Sequence, residues 1–251
     1  IVDSNIITKK QNSLSKDSLL SFKDKSTIYD IEFSPFYNNI LAVANDNNNS
    51  VIISEIGEKD NKLVLKEKTN HKHTKRKINF VNFNPIFSNL ICSSSLYRDL
   101  HIWDINDPNK CQSFPEFKNN PTCLLWSPNG NLIGITEQSG YMIIYDVRQK
   151  NFVINDIKIN EFTKNVKFSW LDNEHFVAVG KNDNNKRVIG LYDITKYDKK
   201  ISAYSKYIID GNANPIIPYV NHELKLIYTV GKDNSDIQIF DYSKSTLNKI
   251  K

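Results

Sequence analysis

"SSSLYRDLHIWDIND" occupies residues 93–107 and reads as small residues, a charged turn, then a short apolar strand closing on Trp103-Asp104. A lone strand of this kind stabilises nothing, so the question is whether it recurs. It does. "NLICSSSLYRDLHIWDI" (89–105) aligns without a gap on "NLIGITEQSGYMIIYDV" (131–147). "HFVAVGKNDNNKRVIGLYDI" (175–194) and "KLIYTVGKDNSDIQIFDY" (225–242) keep the same order, and "NILAVANDNNNSVIISEI" (39–56) keeps it with a weaker end. The aromatic–Asp pairs Trp103-Asp104, Tyr145-Asp146, Tyr192-Asp193 and Phe240-Asp241 are spaced 42, 47 and 48 residues apart, and Ser54-Glu55 takes the place of the pair in the first copy.

Each unit opens on a further short strand: "IYDIEFSP" (28–35), "INFVNFNP" (78–85), "TCLLWSPNG" (122–130), "NVKFSWLDN" (165–173) and "PIIPYVNHE" (215–223). Pro, Asn or Gly turns follow these strands, and outer strands such as "LVLKE" (63–67), "FVIND" (152–156) and "AYSKYIID" (203–210) fill the gaps between pairs. Five copies of four short strands, recurring every 40–50 residues or so, predict an all-β fold, a β-propeller of WD-repeat type. A four-stranded sheet with two apolar faces must stack on like sheets. The aromatic of each pair then fills the space between neighbouring blades, and its Asp accepts backbone N–H groups where the chain leaves the strand.

The expected organisation is a remnant of a preceding blade or linker at 1–27, five blades at 28–67, 78–117, 121–156, 165–210 and 215–243, and a tail at 244–251. The chain reads as the middle of a larger ring, with nothing after Tyr242 resembling a closing strand. The absence of an initiator Met and of a secretory pattern reads as a trimmed fragment. Three sparse cysteines, Cys92, Cys111 and Cys123, fit reduced thiols in a cytosolic protein. No stretch approaches the roughly 18 consecutive apolar residues of a membrane-spanning helix. The net charge of +5 suggests an acidic partner without implying nucleic acid, and heavy Asn, Lys and Ile usage accounts for part of it.

Four stretches resemble the coronin family. "HTKRKINFVNFNPIFSNLICSSSLYRDLHIWDI" (73–105) is similar to its third blade, which a His-Ser-Lys-Arg loop opens, and "YDVRQKNFV" (145–153) to the Asp-x-Arg stretch after its fourth. "KRVIGLYDI" (186–194) resembles its fifth blade and "NPIIPYVNHELKLIYTVGKDNSDIQIFDY" (214–242) its sixth, although Asp233 replaces a Gly in the turn Gly231-Lys232-Asp233-Asn234-Ser235. The resemblance spans roughly residues 26–243. It implies a seven-bladed ring of which about five blades are present, filamentous-actin binding, regulation of filament organisation and turnover without catalysis, and residence in the cytoplasm on the actin cytoskeleton. The family's basic N-terminal motif and its C-terminal coiled coil are not in this sequence, so oligomerisation would need a segment outside the chain.

"KTNHKHTKRK" (68–77) carries Lys68, Lys72, Lys75, Arg76 and Lys77 with no acid, and reads as the loop entering the next blade. Such a cationic run suits an acidic filament surface and salt-sensitive binding; a solvated Lys-rich loop is the plain alternative. Lys75-Arg76 matches the family's loop. Arg98, Arg148, Lys181, Lys186, Arg187 and Lys232 lie in turns or just past strand ends and are candidates for a second basic patch on one rim. No aromatic platform accompanies these charges, so nucleic acid is not expected. His71 and His73 lack a Cys or carboxylate cluster, so no metal is expected. The turns "NDNNNS" (45–50) and "NDNN" (182–185) lack the Gly and terminal Glu of calcium loops and read as turns. Without a phosphate-binding loop, G-x-S-x-G or H-E-x-x-H, no enzyme and no cofactor are expected. The partners implied are filamentous actin and other cytoskeletal proteins. The competing reading is a WD-repeat scaffold that assembles a multiprotein complex by capturing peptides.

Overall fold

The computed structural model describes residues 27–45, 49–59, 62–73, 77–114, 117–149, 153–196, 199–211, 214–231 and 236–250. Strands β1 (Ile28–Phe33), β2 (Ile40–Asn45), β3 (Ser50–Lys59) and β4 (Lys62–Lys72) form the first sheet, paired in chain order. The second holds β5 (Ile78–Phe83), β6 (Leu90–Ser95), β7 (Leu100–Asp104) and β8 (Asp107–Phe114). The third holds β9 (Pro121–Trp126), β10 (Leu132–Glu137), β11 (Tyr141–Asp146) and β12 (Val153–Ile159). After β13 (Lys164–Trp170), β14 (His175–Lys181) and β15 (Arg187–Asp193), the chain sends β16 (Lys200–Ile201) back to pair in parallel with β12, then completes the fourth sheet with β17 (Ser205–Asp210). The fifth sheet is β18 (Ile216–Asn221), β19 (Leu226–Gly231), β20 (Gln238–Asp241) and β21 (Asn248–Lys249).

Two details correct the sequence reading. β4 continues to Lys72, so the first half of the basic 68–77 stretch is strand and not loop. β21 lies in the stretch read as a tail and closes its sheet by pairing with β20.

Each gap between neighbouring sheets holds its own apolar core, and each aromatic of the repeated pair faces back towards the preceding sheet. Trp103 packs with Val51 and Ile53 of the first sheet, Tyr145 with Leu100 and Phe114 of the second, Tyr192 with Ile157 of the third, and Phe240 with Val177 and Leu191 of the fourth. All four rings are buried, as is Ser54 in the first copy. The Asp after each ring accepts the N–H two residues on: Asp104 from Asn106 (3.0 Å), Asp146 from Arg148 (3.0 Å), Asp193 from Thr195 (2.9 Å) and Asp241 from Ser243 (2.7 Å). The repeat in sequence is therefore a repeat of one packing element and one turn.

The innermost strands are laced side by side. Asp30 and Glu32 of β1 accept from the N–H groups of Val81 (3.1 Å) and Phe83 (2.6 Å) in β5. Asn82 Oδ1 accepts from Trp126 N–H (2.8 Å), Thr122 Oγ1 donates to the Val166 carbonyl (2.6 Å), and Ser169 Oγ donates to that of Pro218 (3.1 Å). The nearly constant sequence offsets of these contacts mean that the inner strands run parallel. One rim therefore carries the starts of the inner strands and the turns between second and third strands, here the entry rim. The other, the exit rim, carries the turns between first and second strands and the ends of the third. Asn49 and Asn185 in the two Asn-rich turns adopt left-handed φ of 52° and 56°, a conformation Asn tolerates well.

Gly140 closes the β10–β11 turn at φ 80°, and a Cβ there would lie 2.5 Å from the Phe162 carbonyl oxygen. Gly140→Ala is expected to cost about 1–3 kcal/mol in urea unfolding; an unchanged midpoint would mean the turn is not held as described.

Candidate functional site

The basic segment straddles the boundary between the first two sheets on the entry rim. His73 N–H donates to the Asn49 carbonyl (2.8 Å) in the β2–β3 turn, and Leu96 N–H in the β6–β7 turn donates to the Lys77 carbonyl (3.0 Å). Lys75 and Arg76, between these two contacts in sequence, lie outside the described residues, as does Lys232. Lys72 and Lys77 are both exposed. Lys77 Nζ donates to the Tyr29 hydroxyl (3.1 Å). Arg98, at φ 67° in the β6–β7 turn, lies on the same rim and donates through Nη1 to the Lys118 carbonyl (2.6 Å). Lys186 is exposed in the β14–β15 turn, also on this rim.

Two other candidates do not join this patch. Arg148 follows β11 and so lies on the exit rim, where it grips Asp146 through Nε (2.8 Å) and Nη2 (2.6 Å). Chain position past a third strand, rather than in a second-to-third turn, puts it on the opposite face. Arg187 is only 1% exposed and pairs bidentately with Asp210, its register partner across β15–β17. Its guanidinium comes close to Gly231 of the fifth sheet, so it works as an internal staple and not as a surface cation. Lys181 is likewise buried.

Both histidines of the basic stretch point inwards. His71 hydrogen-bonds Thr69 Oγ1 (3.0 Å), and its ring lies 5.4 Å from that of Trp103; burial lowers its pKa to about 4. His73 meets Ser93 Oγ (2.6 Å), which also accepts the Trp103 indole N–H (2.8 Å). Asp99 and His101 stand beside it, neither singled out by the sequence because both lie well over twenty residues away on another hairpin. Burial would lower the pKa of His101, but the Asp99 hydrogen bond and the nearby Cys111 outweigh it and raise it to about 9. Hydrogen bonds from His101 and Ser95, with the His73 imidazole beside the carboxylate, overcome burial to hold Asp99 well below the usual carboxylate range.

The exit rim carries a cavity of about 400 Å³ lined by Phe33, Pro35, Phe83, Pro85, Trp126 and Trp170. Glu32 lies at its edge, bonded to Asn82 Nδ2 (2.7 Å), with burial pushing its pKa up to about 8. Among the described residues, no helix is long and apolar enough to cross a membrane.

No family model matches the chain. In sequence it is 21% identical over 234 residues to a coronin-like protein of Saccharomyces cerevisiae, covering 88% of this chain and 35% of that protein. It is 21% identical over 230 residues to a coronin-like protein of Schizosaccharomyces pombe, covering 89% of this chain and 37% of that protein. The chain thus spans about a third of the length of these relatives. Among solved structures it is similar to the WD40 domain of Toxoplasma gondii coronin, with a TM-score of 0.79 at 23% identity, covering 89% of this chain and 57% of that one.

Proposed function

We propose that this chain, a coronin-family WD-repeat propeller by its likeness in sequence and fold, binds filamentous actin in the cytoplasm and modulates filament organisation and turnover without catalysing a reaction. The observation that carries the reading is the set of cations on the entry rim, with Lys72 and Lys77 exposed at either side of the basic sequence and half-buried Arg98 in the neighbouring β6–β7 turn. Opposed charges steer encounter and are screened by salt, so a rim of this kind suits a partner with an acidic surface. The open faces of the first and last sheets, where Ile31, Ile217 and Tyr219 are 50%, 60% and 67% exposed, suit further blades of a longer ring.

Reversing the charge at Lys75, Arg76 and Lys77 is expected to weaken filament binding of the full-length protein at least about tenfold, with circular dichroism unchanged. Undiminished binding by the folded variant would remove the segment from the site. The apolar exit-rim cavity favours a second reading, a scaffold capturing a peptide there; that activity would be insensitive to the triple reversal and lost on filling the cavity.

A further inference from the structure

We propose that the β6–β7 turn is the apolar anchor of the filament-binding surface, with Leu96 seating in an apolar recess of the partner bordered by acidic side chains. This inference rests on the actin-binding reading above. The turns between second and third strands build much of the entry rim, and in sequence four of the five are polar: "DNNN" (46–49), "QSG" (138–140), "NDNNK" (182–186) and "KDNSD" (232–236). The β6–β7 turn instead reads Leu96-Tyr97-Arg98. Leu96 is 41% exposed, with Tyr97 and Arg98 half-buried beside it. Arg98 falls opposite Gly140 in the gapless alignment of the two units and keeps a left-handed φ of 67°. The matching left-handed residues in the neighbouring turns are Asn49, Gly140 and Asn185. Arginine is strained in a conformation that Gly and Asn adopt readily, so the cation is placed there at a cost to the turn.

The turn is fixed before any partner arrives. Tyr97 N–H donates to Ser95 Oγ (3.0 Å), and Arg98 N–H donates to the Ser95 carbonyl (3.0 Å). The Arg98 carbonyl accepts from Phe117 N–H (2.6 Å), and Leu96 N–H is bound to the Lys77 carbonyl (3.0 Å). A preorganised anchor loses little conformational freedom on binding. The last of these bonds also joins the leucine to the cations, because Lys77 carries an exposed ammonium that meets the Tyr29 hydroxyl. Lys77 and Arg98 thus flank Leu96, one through the backbone and one through the turn itself. Cations steer an acidic surface into place but are screened by salt, whereas burial of the leucine adds contact that salt does not weaken. A uniformly charged partner would gain nothing from Leu96. A recess with carboxylates at its border complements all three side chains together.

The test measures co-sedimentation of full-length protein with actin filaments across a range of salt for the wild type, Leu96→Asn and Leu96→Met. Urea unfolding checks that each variant is folded, and Leu96→Ser is read in the same way if L96N is not. The expected result is binding at least about fivefold weaker in L96N at every salt, with the same slope of log affinity against log salt as the wild type. L96M should stay within about twofold of the wild type, since it keeps the volume and the apolar character. Folded L96N that binds like the wild type would overturn the inference while leaving the actin reading in place. So would L96M as weak as L96N, or a changed salt slope in L96N. Wild-type protein that stays in the supernatant at low salt would overturn both.

Discussion

Replacing Trp103 by alanine is expected to destabilise the protein by about 3–5 kcal/mol in urea unfolding. The ring is 3% exposed and fills the core between the first and second sheets, packed with Val51, Ile53, Ile91 and Ile105. It also lies 5.4 Å from the rings of His71 and His73 and 5.3 Å from that of His101. Alanine removes this buried surface and leaves a void that the strands around it cannot close without breaking register. It also strips Ser93 Oγ of the indole N–H it accepts at 2.8 Å. A loss below about 1 kcal/mol would mean that this ring does not close the gap between blades.

Asp210→Ala carries the second large effect, a loss of about 3 kcal/mol. The reason is what remains: a guanidinium with a side chain 2% exposed, deprived of the carboxylate that neutralises it. Removing one partner of a buried pair typically costs about 3–5 kcal/mol, and the 36% exposure of the Asp210 side chain places this pair at the low end. Joint replacement of Arg187 by Met and Asp210 by Leu should recover most of the loss, because apolar side chains of similar volume carry no desolvation cost. An Asp210→Ala loss below about 1 kcal/mol would contradict the staple, as would a double variant no better than the single one.

Arg187 also shows where sequence reasoning reaches its limit. Its neighbours Lys186 and Asn185 are turn residues, and nothing local distinguishes a cation that starts a strand from one that ends a turn. What decides is the pairing of β15 with β17, which sets Asp210 opposite it from 23 residues away. Arg148 fails as a rim partner for a related reason: a position just past the third strand lies on the exit rim, a fact of antiparallel order and not of composition. The fold was legible because the same packing element recurs, so Trp103, Tyr145, Tyr192 and Phe240 announce themselves by spacing. The His73–Asp99–His101 cluster is assembled across two hairpin segments and does not recur among the described residues, so no spacing betrays it. The parallel strand β16 and the two-residue β21 escaped because strands this short carry no periodicity.

Filament binding is tested most directly by co-sedimentation of the full-length protein with actin filaments at low and at physiological salt. The account predicts that the protein pellets with filaments at low salt and progressively less as salt rises, as screened contacts through a cationic rim require. Folded protein that stays in the supernatant at low salt would contradict it, and the scaffold reading would then take its place.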